Sequence, residues 1–280
     1  MGSLDWAVAL SVLSAVSYAA AAVVQERLAA AGHRGLSRWA VSLALTGVGA
    51  GLHVVALGFG TVGVVQALGT LTLLFALPIA AARTHAPIEP AAWRDAGLTV
   101  AGLAGVMALS STSGGTDVLS GASGRYLAVA TVAGIAVLGA VAWYAISPLF
   151  RSLALAGAAG AAFAMASVFS KALLASFSVT VTLYVALFAV SGYLLSQLSY
   201  KGAGLAAPLA MVSVANPVLA AVVGILVFGE GFRLGTLGVM LAIAAGVVAA
   251  VGVVGLSRRT AAEVTVPDDV STIQLEAHPV

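Results

Sequence analysis

The chain has 280 residues, of which 61% are hydrophobic and 8% charged, with a formal net charge of +2 and a mean hydropathy of +1.10. Apolar surface on that scale does not fit inside one water-soluble core, so the composition excludes a soluble globular domain and makes a lipid bilayer the solvent of most of the chain. The twelve basic residues stand singly between apolar runs, which excludes a nucleic-acid partner despite a pI of about 9.2, and the absence of cysteine excludes disulfides, thiolate metal sites and cysteine nucleophiles.

Apolar runs of about 20 residues cross ~30 Å of hydrocarbon at 1.5 Å per residue. On that length the sequence predicts nine helices, over 5–26, 38–58, 61–82, 92–112, 125–146, 151–172, 177–198, 204–228 and 234–256. The first lacks a basic leader and a small-residue cleavage site, so it reads as a retained span and not a signal peptide. The connections are short: a Gly-Phe-Gly at 58–60, Ala86-Pro87 with Glu89-Pro90, and a Gly/Ser-rich loop from Thr112 to Ser123. One membrane domain over 1–256 follows, with a repeat at about 4–112, a linking span at about 125–146 and a second repeat at about 151–256. Residues 257–280 carry Arg258, Arg259, Glu263, Asp268, Asp269 and Glu276 and read as a disordered cytoplasmic tail.

The eighth run differs from the others. From Pro208 to Gly229 it is free of charge, yet Asn216-Pro217 interrupts it midway. Proline removes a backbone donor, and in hydrocarbon a break persists only where protein or a lined cavity satisfies the loosened groups. The run therefore predicts a helix broken at mid-depth, a place where transporters bind substrate.

Charge sets the orientation. With the amino terminus outside, Arg27, Arg34, Arg38, Arg83, Arg94, Arg151, Lys201, Arg258 and Arg259 fall on the inner side, and Arg125, Lys171 and Arg233 on the outer. That bias predicts a multi-pass plasma-membrane protein with its amino terminus out and its carboxyl terminus in the cytoplasm, which needs an odd number of spans. Arginine-rich, alanine- and glycine-rich usage points to a bacterial inner membrane.

An internal repeat runs through the chain. Trp93-Arg94, followed by Leu98 and Val100, matches Phe232-Arg233, followed by Leu237 and Val239, and residues 21–30 line up with 166–175. Equivalent spans are five apart, an odd number, so the two copies lie upside down relative to each other. The expected fold class is an all-α membrane protein of about nine transmembrane helices, with spans 1–4 and 6–9 as an inverted repeat and a linking span between them.

With the third span Val-Val-Gln-Ala-Leu-Gly-Thr-Leu-Thr-Leu-Leu-Phe-Ala-Leu-Pro (64–78), Ser170-Lys171-Ala172 and the stretch from Asn216-Pro217 to Gly229-Glu230, the nine-span plan resembles the drug/metabolite transporter superfamily. Within it the chain is similar to EamA-like permeases and to the NIPA branch of magnesium transporters. The resemblance covers about residues 4–256 and implies a secondary transporter or permease that moves a small solute by alternating access. For magnesium, octahedral oxygen coordination usually recruits one or two carboxylates. Here Asp5, Glu26, Glu89, Asp95 and Glu230 all lie at or near span ends.

The candidate binding or gating residues each carry two readings. Asn216 and Pro217 line a cavity or form a packing kink. Lys171 gates or attracts an anion, or snorkels to the interface. Gln25 and Glu26 help an inner gate or proton coupling, or mark an interfacial boundary. His53, inside the second span, titrates near neutrality or donates to a carbonyl. Gln66, Thr70, Tyr18, Tyr193 and Gln197 bond a polar solute or hold helices together. Gly47, Gly49, Gly51, Gly102, Gly105, Gly235 and Gly238 read as close-packing positions, and Trp39, Trp93, Trp143 and Tyr144 as interface anchors.

No His/Asp/Glu cluster with ligand spacing, no nucleophile elbow and no nucleotide-binding motif appears, so the sequence argues against an enzyme and implies no cofactor and no metal. The implied partners are the lipid bilayer and a small-molecule or ion substrate, and a homodimer is compatible with the plan. A non-transporting membrane scaffold is the rival from another class.

Overall fold

The architecture is that of a computed structural model, which describes residues 2–31, 36–60, 62–84, 87–111, 121–228 and 231–265. Its elements in order are α1 (Ser3–Ala31), α2 (Leu36–Phe59), α3 (Val62–Gly69), α4 (Thr72–Thr84), α5 (Pro90–Leu109), β1 (Ser110–Ser111), α6 (Ala122–Tyr144), α7 (Pro148–Ala175), α8 (Val179–Ser199), α9 (Ala206–Phe228), β2 (Gly231–Phe232) and α10 (Gly235–Thr265). Helix is the expected answer to an apolar solvent, because it satisfies every backbone group within its own segment. Local signals start two of them: Ser147 caps α7 by accepting from the Phe150 amide, with Pro148 at the first turn, and Ser178 caps α8 by accepting from Val181.

Among the described residues, seven segments are long and apolar enough to cross a membrane: Ser3–Ala30, Ser37–Phe59, Val64–Arg83, Ala122–Tyr144, Pro148–Leu174, Val179–Ser199 and Gly235–Arg258. The protein is therefore a multi-pass helical membrane protein. Most of the α6 surface faces outward, with Tyr126, Val129, Val137, Trp143 and Tyr144 exposed, as suits a helix solvated by lipid.

Three expectations are corrected. The helix break at Asn216-Pro217 is absent, because α9 runs unbroken from Ala206 to Phe228 with Pro217 inside it. Proline deletes one donor, toward the Ser213 carbonyl, and the bonds on either side are enough to carry the helix across it. The break lies instead in the third run, between α3 and α4, where Thr70 and Leu71 leave the helix. Here Thr70 N bonds Ala67 O at 3.3 Å, Leu71 N bonds Leu68 O at 3.1 Å, and the Thr70 hydroxyl donates to Ala67 O at 2.6 Å. The four-residue ladder gives way here to a tighter three-residue turn, in which the threonine hydroxyl shares the Ala67 carbonyl with its own amide. Finally, α10 continues beyond Leu256 to Thr265, with Ser257 buried, so the helix extends into the expected tail; residues 266–280 lie outside the described residues.

Packing divides the helices into two sets. In the first, α1 lies antiparallel to α2, with the Ser14 hydroxyl donating to Gly49 O at 2.7 Å and Ser17 to Leu45 O at 2.8 Å, and it also packs on α3 and α4. In the second, α7 lies antiparallel to α8, with Ser152 donating to Ser199 O at 2.6 Å, and it also packs on α9 and α6. An aromatic ring sits on a glycine in both: a Cβ at Gly49 would meet the Tyr18 ring at 3.0 Å, and one at Gly192 would meet the Phe163 ring at 2.8 Å.

The sets join chiefly along α5 and α10, which are antiparallel. A Cβ at Gly102 would meet the Ala245 carbonyl at 2.5 Å, Gly252 lies against Thr99 and Gly255 against the Asp95 carboxylate. Ser110 pairs with Phe232 and Ser111 with Gly231 at the far end of the seam, where Arg233 N also donates to Leu109 O at 2.8 Å. Gly47 and Gly51 face open space, so among the glycines of α2 only Gly49 mediates close approach. An apolar cluster of Ala22, Leu73, Ala96, Leu209, Val253 and Leu256, with Tyr200 among them, fastens both sets near the carboxyl end of α1.

Candidate functional site

The candidate residues meet where the two sets face each other, and they do so at two ends. At one end the Lys171 ammonium, on α7, donates to the Leu57 carbonyl of α2 at 3.0 Å. Leu57 stands in the last turn of its helix, where carbonyls have no partner farther along the chain, and a cation there also complements the helix dipole. His53 lies one turn earlier on α2, buried, with Nε2 lacking a partner.

At the other end α1, α2 and α8 share a polar cluster. The Gln197 amide donates to the Gln25 backbone carbonyl at 2.8 Å, Gln25 Nε2 donates to Thr46 Oγ1 at 3.1 Å, and Thr46 donates to Ser42 O at 2.9 Å. Ser42 and Tyr193 share a hydrogen bond of 3.0 Å between their hydroxyls. Trp39 packs edge-on against Tyr193 with ring centroids 6.4 Å apart, so it helps build the cluster in addition to any role at the membrane interface. Trp39, Ser42 and Thr46 are spaced three and four residues apart, which puts them on one face of α2 just as Tyr193 and Gln197 share a face of α8.

The fifteen residues from Ser42 to Leu57 separate these two ends by about 22 Å along α2. Lys171 and His53 therefore belong to one end, and Gln25, Tyr193 and Gln197 to the other. Glu26 is half-buried beside Gln25. Tyr200, just past α8, is buried in the apolar cluster; its phenol is pushed up to about 12 by burial first, against the lowering effect of a hydrogen bond with Ser196, with the Glu26 charge adding to the rise.

Several further buried polar atoms lack a protein partner: Ser11 Oγ and Gln66 Nε2, whose neighbours Leu10 and Val65 pack together with Leu57 at the Lys171 end, and Asn216 Oδ1, besides Gln197 Oε1 in the other cluster. Gln66 is on α3 and Asn216 on α9, two helices that touch each other. Thr70 bonds its own helix and Tyr18 covers Gly49, so both serve packing in this conformation. Pro217 is buried within α9. Among the described residues no group of three or more His, Asp or Glu comes together to hold a metal ion.

Sequence reasoning missed Trp39, Ser42, Thr46 and Tyr200 as members of the site. The polar stripe along α2 was the available signal for the first three; Tyr200 carried none, because its burial depends on five other segments. Comparison with protein-family models, curated proteins and solved structures returned no match.

Proposed function

We propose that the protein is a secondary transporter of the drug/metabolite type, crossing the membrane nine times as two inverted halves and moving a small polar solute by alternating access. The observation that carries this reading is the doubled packing. The α1/α2/α3–α4 set is matched by the α7/α8/α9 set down to the ring-on-glycine contacts of Tyr18 with Gly49 and Phe163 with Gly192, and α5 is matched antiparallel by α10. Two such halves, hinged on the α5–α10 seam, can rock against each other around a site between them.

The mechanism follows from where the halves are tied. Lys171–Leu57 fastens them at one end, and Gln25–Gln197 with Ser42–Tyr193 at the other. With both sets of bonds made, the conformation is occluded. Releasing one set while the other holds admits solute from one side, and the unpartnered groups of Ser11, Gln66, His53 and Asn216 are hydrogen-bonding capacity that a polar solute could take up.

The test is flux of a panel of small polar solutes into proteoliposomes, with and without an imposed pH gradient. Saturable uptake of at least one solute is the expected result. Uptake of magnesium alone would move the reading to the NIPA type, and absence of any flux in protein that inserts would favour a scaffold. The nine-crossing plan is tested separately by labelling cysteines introduced at Ser3 and Thr265, which should react from opposite sides of the membrane.

A further inference from the structure

A cavity of ≈ 370 Å³ opens at the ends of three helices and is lined by Val24, Arg27, Leu28, Ser37, Arg38, Val41 and Arg83. Its three arginines come from three different elements: Arg27 from the last turns of α1, Arg38 from the first turn of α2 and Arg83 from the end of α4. Among the described residues the one salt bridge is Arg94–Asp95, so none of the three has a carboxylate within 4.0 Å. Glu26, though next to Arg27 in the chain, does not line the cavity.

The chemistry of that lining is one-sided. Guanidinium groups only donate, and the Ser37 hydroxyl is the sole other polar side chain, while Val24, Leu28 and Val41 make the remaining wall apolar. The three arginines are exposed, and the Glu26 charge acts on Arg27 from outside the lining, but the only charged groups lining the cavity itself are cations, and an anion there would be attracted by all three. A guanidinium fork matches the paired oxygens of a phosphate bidentately, and the volume falls within the range of about 300–1,000 Å³ usual for small-molecule pockets. We propose that this cavity binds a phosphate group, held by Arg27, Arg38, Arg83 and Ser37, with the carbon portion of a phosphate ester against Val24, Leu28 and Val41. Two sources share this chemistry: the headgroup of an anionic phospholipid at the bilayer surface, and a soluble phosphate or phosphate ester. The site lies at the same end as the Gln25–Ser42–Tyr193 cluster, on neighbouring positions of α1 and α2, but shares no residue with it and does not depend on the transport reading.

The experiment uses the full chain, purified in detergent and stripped of lipid, with binding followed by native mass spectrometry and by the thermal midpoint. The probes are phosphatidylglycerol, phosphatidylcholine with the same acyl chains, inorganic phosphate and glycerol phosphate. Phosphatidylglycerol is expected to bind and to raise the midpoint where phosphatidylcholine does not, and the double variant R38Q/R83Q to weaken that binding by about tenfold or more. Protection by inorganic phosphate or glycerol phosphate equal to that by phosphatidylglycerol assigns the site to a soluble phosphate; protection by the lipid alone assigns it to a headgroup. Because removing positive charge could disturb insertion, R38K/R83K keeps the charge and removes only the forks, and it too should bind several-fold more weakly. The control Arg125→Gln, outside the cavity, should bind as the wild type does. Undiminished binding in both double variants, equal retention of phosphatidylcholine, or no protection by any phosphate probe overturns the proposal.

Discussion

Lys171 on α7 reaches the backbone carbonyl of Leu57 on α2 at 3.0 Å, a bond between residues 114 apart in the chain. It links the two packed sets at the end opposite the Gln25 cluster, and a charge-assisted bond of this kind is worth about 1.5–3 kcal/mol. Lys171→Met keeps the length and apolar stem of the side chain while deleting the donor. The chain has no cysteine of its own, so a single introduced thiol reports without background. A cysteine at Val65, which packs against Ala56 and Leu57, should react with a water-soluble thiol reagent about tenfold faster in the Lys171→Met background. Equal rates would mean that the bond does not hold this end closed.

The Ser42–Tyr193 hydrogen bond is a contact between α2 and α8 whose energy is open to a double-mutant cycle. Ser42→Ala, Tyr193→Phe and the pair should give a coupling of about 0.6–1.7 kcal/mol in unfolding free energy, the range for side-chain bonds in membrane helices. If the contact also closes one end, transport per folded molecule changes in both single variants. Additive effects on stability would show that the hydroxyls do not interact.

The α5–α10 seam leaves no space for side chains. Gly252→Val would push a branched side chain into Thr99 and the Asp95 backbone and should destabilise the fold by at least about 1–3 kcal/mol. Gly246 lies on the same helix with nothing within 4 Å, so Gly246→Val should have a small effect. Thermal midpoints of the two variants in detergent should differ clearly; similar midpoints would mean that the seam separates readily.

Since α9 is continuous, substitutions at its centre have a revised expectation. Pro217→Ala supplies the missing donor to the Ser213 carbonyl and should stabilise the protein by about 1 kcal/mol. Asn216→Leu removes a buried, unpartnered acceptor and should leave stability unchanged or raised. If Asn216 meets solute, the same variant raises the apparent KM for uptake. A clear loss of stability with normal uptake would assign Asn216 to helix-helix bonding in place of binding.

Tyr200 has a pH consequence of definite sign. Its phenol is raised from 10.0 to about 12 in the folded state, so the fold favours the neutral form. That contribution is fully present below pH 10 and is lost as pH rises toward 12. The difference between wild type and Tyr200→Phe in near-ultraviolet tyrosinate absorbance should therefore emerge near pH 12. Emergence near pH 10 would mean that Tyr200 is solvated.

What the amino-acid sequence determined by itself was the solvent and the helices. Apolar runs of membrane length placed helices within a few residues of those found, as with 38–58 against Leu36–Phe59 and 177–198 against Val179–Ser199. That information is local, because burial in hydrocarbon forces each run to satisfy its own backbone. Only the tertiary structure decided where a helix gives way. Asn216-Pro217 carried a breaking signal and stayed helical, while the third run, read as one helix, turned at Thr70-Leu71, where backbone bonds reach back three residues and the Thr70 hydroxyl also donates to the Ala67 carbonyl. Only the tertiary structure, likewise, could bring Lys171 to Leu57, Gln197 to Gln25, and three arginines from three helices around one cavity. Those partners are set by which helix faces meet, a choice made by the close approach of glycine and alanine surfaces that look alike along the whole chain.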